Sequence, residues 1–332
     1  MRILIIGAAG MIGRKLAAML QAEGCSGQQI ESLILYDIGP ETAYPTAAAN
    51  PRSGCQISVM SGSLADPGEA ERLAALRPDV IYHLAAVVSG QAEAEYDLGM
   101  AINLDATRGL ANALRAEHEA SGGAYRAKLV FTSSIAVFSG PYPEVIGEDF
   151  HLNPQNSYGT GKAMAELLLA DLGRRGWLDT LSLRLPTIVV RPGKPNKAAS
   201  SFFSGIIREP LNGKEAVLPI TADFRHWFAS PRSAAGFLCH AGNIDFSHLG
   251  HQRSLNMPGL CCTVGDLIDA LKSVAGADVA GLIRHQHDET IWQIVSGWPH
   301  ALDASRASGL GFKAETDPQQ LIRAYLEDDF DS

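Results

Sequence analysis

RILIIGAAGMIG, residues 2–13, is the stretch whose reading decides the fold. Ile3 to Ile6 is an unbroken apolar run of buried-strand length, and Gly7, Gly10 and Gly13 follow at three-residue spacing. Arg14 to Leu20 then carries the apolar repeat of a helix. Strand, glycine turn and helix together are the setting a dinucleotide-binding loop requires. Gly7 permits the tight turn, Gly10 lets backbone approach a pyrophosphate, and Gly13 lets the helix pack close to the strand. The helix N-terminus, with Met11 and Ile12 in its first turn, offers N–H groups and a partial positive charge to the phosphates.

Working outward, Ser32 to Asp37 reads as a second strand ending in an acid, and Asp37 stands 24 residues past Gly13. A carboxylate at that spacing suits the adenosine ribose hydroxyls and repels a 2′-phosphate, so NAD is expected rather than NADP. Residues 39–55, rich in Pro, Gly and Ala, read as a loop. Further strands are expected over Gln56–Met60, Asp79–Leu84, Lys128–Thr132 and Leu181–Leu185, with helices over 68–77 and about 93–119 between them. Ser63 and Leu64 past the third strand, and Ala85 and Ser89 past the fourth, lie where an open parallel sheet binds its ligand. The alternation predicts an α/β fold, a Rossmann-like doubly wound parallel sheet. It assigns residues 1–186 to the NAD-binding domain. Residues 187–332, with helices expected over Val264–Val274 and Pro318–Leu326, form mainly a smaller C-terminal substrate lobe, some segments of which could return to the sheet.

Bulk properties bound the function. The chain has 332 residues, 46% of them hydrophobic and 19% charged, which is a globular composition. A net charge of −9 with no basic run speaks against nucleic-acid binding. No apolar run reaches membrane-spanning length, and a strand starting at residue 2 leaves no stretch for a secretory leader. Five scattered cysteines read as reduced thiols, and a cytoplasmic location is expected. His285 and His287 have no completing ligands nearby in sequence, so no metal site is expected.

The fifth strand runs into Thr132-Ser133-Ser134, and a helix capped by Asn156 or Ser157 follows a loop. Tyr158 and Lys162 are four apart and share one face of that helix. With these residues in view, the chain resembles the extended short-chain dehydrogenases/reductases, the NAD-dependent epimerase/dehydratase family. The resemblance is carried by GAAGMIG, by FTSSIAVF (131–138), by YGTGK (158–162) and by ALDASRASGLGF (301–312). It implies Ser134, Tyr158 and Lys162 as catalytic residues and NAD as cofactor. Cofactor contacts are implied from Asn103, Tyr158, Lys162, Pro186 and Ile188, with Asn103 supporting Lys162. Ser89, Ser134 and Tyr158 are implied to meet the substrate.

More narrowly, LRLPTIVVRPGKPNKAASSFFSGIIREPL (183–211) and FRHWFASPRSAAGF (224–237) are similar to members of that family that oxidise a four-carbon sugar acid at C2. Such a substrate brings a carboxylate, and a cation should meet it. Arg191, Lys194, Lys197, Arg225 and Arg232 are the candidates, with Arg191 taken as the substrate contact. Phe138-Ser139 departs from the Tyr-Gly of many family epimerases, which counts against a nucleotide-sugar substrate. An epimerase or dehydratase that retains NAD, and a non-catalytic dinucleotide sensor, are the alternative readings. By analogy with relatives, a homodimer would form through the helices near 93–119 and 157–175.

Overall fold

The computed structural model describes residues 1–330 apart from 26, 28, 40–53 and 194–198; most of the 39–55 loop, Lys194 and Lys197 therefore lie outside the described residues. The first half alternates as expected: β1 (Arg2–Ile6), α1 (Met11–Glu23), β2 (Ser32–Asp37), β3 (Gln56–Ser61), α2 (Glu69–Ala74) and β4 (Val80–His83). Next come α3 (Ser89–Ala94), α4 (Tyr96–Met100), a π-turn (Ala101–Asp105), α5 (Ala106–Ala120), β5 (Lys128–Ser134), α6 (Ser157–Arg174) and β6 (Asp179–Leu185). Beyond them lie β7 (Thr187–Ile188), α7 (Ser201–Leu211), β8 (Ala216–Leu218), β9 (Arg225–Ala229), α8 (Pro231–Asn243), β10 (Ser254–Asn256) and β11 (Leu260–Thr263). The chain closes with α9 (Val264–Ala275), α10 (Ala277–Ala280), β12 (Ile283–His285), α11 (Glu289–Val295), α12 (Ser305–Gly309) and α13 (Pro318–Asp328).

The main sheet has the order β10-β6-β5-β4-β1-β2-β3, and every pairing in it is parallel. Parallel strands need helical crossovers that cover both faces, so the strands are apolar on both sides. β1 shows this directly. Ile3 and Ile5 join Leu16, Leu20 of α1 and Phe237, Leu238 of α8 in one core. Leu4 and Ile6 join Leu110, Leu114 of α5 and Leu169 of α6 in the other. α8 and β10 come from the second half of the chain, so that half contributes a covering helix and an edge strand to the first. The remaining elements build a separate core around Phe203, Phe228 and Leu267.

The segment around 93–119 differs from a single helix. It starts at Ser89, breaks at Glu95 (φ −127°, ψ 70°) and passes through the π-turn before α5. The extra residue in that turn brings buried Asn103 inward, where its amide donates to the Val87 carbonyl (3.0 Å) and accepts from the Val87 N–H (2.9 Å). The loop after β4 is thereby fixed.

α6 is fastened to β6 by a buried ion pair. Arg184 donates to both carboxylate oxygens of Glu166, with Nη2 to Oε2 at 2.9 Å, and the side chains are 6% and 2% exposed. Its remaining Nη1 reaches Asn256 Oδ1 at 3.3 Å. Removing one charge of such a pair strands the other, which costs about 3–5 kcal/mol, whereas replacing both by apolar groups is often neutral. Glu166→Ala should therefore lower the urea-unfolding free energy by about 3–5 kcal/mol, and Glu166→Leu combined with Arg184→Met should recover most of it.

Candidate active site

The glycine loop has the shape its spacing implies. Gly7 has φ +90°, and a Cβ there would sit 2.7 Å from Ala85 N. A Cβ on Gly13 would sit 2.2 Å from Gly7 O, so only glycine lets α1 approach this closely. α1 begins after Gly10 with no side-chain cap and no acid in its first turn, leaving the N–H groups at Met11 and Ile12 to face a ligand. Asp37 accepts from Ala9 N (2.9 Å) and Ile38 N (2.7 Å), so its carboxylate is anchored to the loop it serves. Ser63 and Leu64 follow β3 beside it, where Gly62 N donates to Asp37 O. Leu64 is buried, and the Ser63 hydroxyl accepts from Ala65 N. Ala85 N donates to Ile6 O at the end of β4. Ser89 is the first residue of α3, partly exposed at the end of the loop that Asn103 fixes.

α6 meets the end of β5 with nothing between them. Asn156 caps the helix by accepting from Gly159 N at 2.8 Å. A Cβ on Gly159 would lie 2.2 Å from Ala136 O, so the glycine allows the first turn to press on the chain just past Ser134. Tyr158 is thereby set beside Ser134, whose hydroxyl favours the ionised phenol. Ser134 also accepts from Ala136 N at 3.1 Å. Lys162 is buried, donates to Thr132 O at 2.7 Å, and stands 4.4 Å from the Phe131 ring centre and 5.8 Å from that of Tyr158. An ammonium has three donors, and the second and third suit the hydroxyls of a nicotinamide ribose. Its hydrogen-bond partner is the Thr132 carbonyl, while the Asn103 amide is engaged by the Val87 backbone.

Burial sets the proton affinities. It lowers Lys162 from 10.5 to about 7, with the Glu166 carboxylate one turn on opposing that fall. It raises Tyr158, while the Ser134 hydrogen bond and the positive charge of Arg191 pull the phenol back down. Arg191 is thus near enough for its charge to act on the Tyr158 phenol. Its Nε donates to Ile188 O (2.9 Å) and its Nη2 to Ser200 Oγ (2.9 Å), and among the described residues no carboxylate pairs with it. Pro186 and Ile188 are buried just beyond β6. The other two described cations are engaged elsewhere: exposed Arg225 with Glu144 (2.8 Å), and Arg232 with Glu327 (2.8 Å) and Asp328. Sequence reasoning kept Arg225 and Arg232 as candidates beside Arg191, which it took as the substrate contact. It missed Glu166 and Arg184, whose pairing across 18 residues leaves no local signal. Among the described residues no three metal-ligating side chains gather, and His287 pairs with Glu289 at the surface. No helix among the described residues is long and apolar enough to cross a membrane.

Residues 3–227 match the model of the NAD dependent epimerase/dehydratase family. The D-erythronate dehydrogenase of Cupriavidus necator is 43% identical over 99% of this chain and 98% of its own. That of Haemophilus influenzae is 38% identical over 99% of this chain and 100% of its own. A solved structure described as a nucleoside-diphosphate-sugar epimerase from Agrobacterium tumefaciens is 50% identical with a TM-score of 0.93, covering 100% of this chain and 95% of that one. The chain belongs to the NAD dependent epimerase/dehydratase family. It is an NAD-dependent dehydrogenase, as the resemblance implied.

Two outcomes follow from this geometry. Asp37→Ser should weaken NAD binding and narrow the preference for NAD over NADP, read as the ratio of dissociation constants, since the fixed charge that repels a 2′-phosphate is gone. Lys162 makes the cofactor-free protein pH-sensitive. Between about 7 and 10.5 the unfolded chain holds a proton at this lysine that the folded chain does not, so stability from this group rises with pH across that window and is lowest below it. In urea unfolding, Lys162→Met should gain most over the unmodified protein below pH 7, and the gain should shrink as pH rises through the window.

Proposed function

We propose that this member of the epimerase/dehydratase family oxidises the C2 hydroxyl of a four-carbon sugar acid, D-erythronate to 2-oxo-erythronate. The observation that carries the reading is Arg191: a guanidinium without an acidic partner among the described residues, close enough to act on the Tyr158 phenol. A 2-hydroxy acid presents a carboxylate on the carbon next to the hydroxyl being oxidised, so a cation beside the general base matches that class. The names of the two full-length relatives support the same substrate.

When bound, NAD supplies the hydride acceptor. The chain's own residues do the rest. Arg191 holds the carboxylate and turns C2 toward Tyr158. Ser134 hydrogen-bonds the C2 oxygen and keeps it in place as it passes from hydroxyl to carbonyl. Tyr158 takes the hydroxyl proton. A protonated Lys162, held by Thr132, favours the phenolate and fixes the nicotinamide ribose. Ser89 borders the substrate from the loop that Asn103 fixes. The reading includes a cytoplasmic enzyme and a homodimer through α5 and α6, where Leu167 is 64% exposed; sedimentation velocity tests the dimer.

The description of the Agrobacterium structure favours a second reading, a nucleotide-sugar epimerase or dehydratase that keeps its NAD. One assay separates them. The first predicts NADH absorbance with NAD and D-erythronate; turnover of a nucleotide sugar without added NAD, and no NADH from any four-carbon sugar acid, would establish the second. Tyr158→Phe should lower kcat by ~10²–10⁴ while NAD binding holds, because the phenol acts at the substrate oxygen. Near-normal turnover by a folded Tyr158→Phe enzyme would sink the mechanism.

A further inference from the structure

The small sheet beside the site contains a polar pair that the mechanism above does not use. β7 pairs with β9, setting Thr187 opposite Phe228. On the same side of β9, His226 Nε2 lies 2.6 Å from Thr187 Oγ1. His226 is fully buried among aromatic rings. It stacks on Phe203 at 5.4 Å and 8°, meets Phe228 edge-on at 5.1 Å, and lies 5.6 Å from Trp298. Burial drives its pKa down to about 3, so it is a neutral ring at any working pH. Its Nδ1 is also buried, with the Pro299 backbone as the polar group beside it. A phenyl ring would fill such a cluster without the desolvation that two ring nitrogens cost. The nitrogen that justifies a histidine here is the one on Thr187.

Thr187 lies between residues that touch the site. Leu185, two residues earlier, pairs with Ser134 across the sheet. Ile188, the next residue, gives its carbonyl to Arg191. Thr187 is partly exposed where His226 is not. A hydroxyl has one donor and two acceptor positions. One is taken by His226, which fixes the rotamer and leaves hydrogen-bonding capacity for a ligand.

We propose that Thr187, oriented by His226, is a specificity-determining residue that hydrogen-bonds a hydroxyl of the sugar acid beyond the oxidised carbon, at C3 or C4. The assignment rests on the sugar-acid reading. With the carboxylate on Arg191 and the C2 oxygen between Ser134 and Tyr158, the C3–C4 end is the part of the substrate without a partner.

The experiment compares kcat/KM on D-erythronate with that on the 2-hydroxybutanoate of the same C2 configuration, which lacks both distal hydroxyls. Thr187→Val should lower the value for D-erythronate by about tenfold to a hundredfold and leave 2-hydroxybutanoate nearly unchanged, the size expected for one lost substrate hydrogen bond. Thr187→Ser should retain the preference. His226→Phe, which keeps the ring stack but not the nitrogen, should shift the ratio in the same direction as Thr187→Val. NAD binding by each variant checks that the fold persists. An unchanged ratio in Thr187→Val overturns the proposal, as does an equal fall on both substrates. A shifted ratio in Thr187→Val with none in His226→Phe overturns the orienting role of the histidine. If the unmodified enzyme does not act on D-erythronate at all, the substrate reading itself fails, a result visible before any variant is made.

Discussion

The contact on which the site depends is the one between the first turn of α6 and the end of β5. Gly159 lets the helix touch the Ala136 carbonyl, and no side chain separates the two elements. This closeness sets Tyr158 against Ser134 and sinks Lys162 into the protein beneath them. It also creates the electrostatic problem the site must solve, because an ammonium loses its hydration there. The single carbonyl of Thr132, the ring of Phe131 and the distant charge of Glu166 offset part of that loss, and a bound ribose would add two hydrogen-bond acceptors.

The same helix is held at its middle by charge. Glu166 sits one turn after Lys162 and is gripped by Arg184 from β6. Arg184 reaches Asn256 on β10, Asn256 N donates to Glu148, and Glu148 pairs with Arg306. This chain of contacts joins α6, two strands of the sheet, the loop after β5 and a segment near the C-terminus. A buried network of this kind adds little net stability over an apolar core, but it permits few alternative arrangements. Its value here is that α6 keeps one axial position, and with it Tyr158 and Lys162 keep theirs.

Around Arg191 the electrostatics differ. Arg191 is held by uncharged partners, the Ile188 carbonyl and the Ser200 hydroxyl, so its charge is not cancelled within the described structure. That charge is felt by Tyr158. Under the proposed function the arrangement would serve an anionic substrate twice: it would attract the carboxylate and favour the ionised form of Tyr158.

What the sequence determined by itself was everything carried by local spacing. Three-residue glycine spacing after an apolar strand specified the loop, because a turn, a phosphate approach and a close helix need small residues at set intervals. A four-residue interval put Tyr158 and Lys162 on one helix face. An acid at the end of β2 stood at the spacing expected of a ribose-binding carboxylate. The tertiary structure decided what depends on residues far apart in the chain. It gave Arg225 and Arg232 acidic partners and Arg191 uncharged ones, since only folding shows which cations meet acids. It turned Asn103 toward Val87 through a π-turn that no periodicity announces. It paired Glu166 with Arg184 and Thr187 with His226. The physical reason is that burial, which gives a charge or a hydroxyl its strength, is a property of the assembled layers and is not encoded in any one stretch.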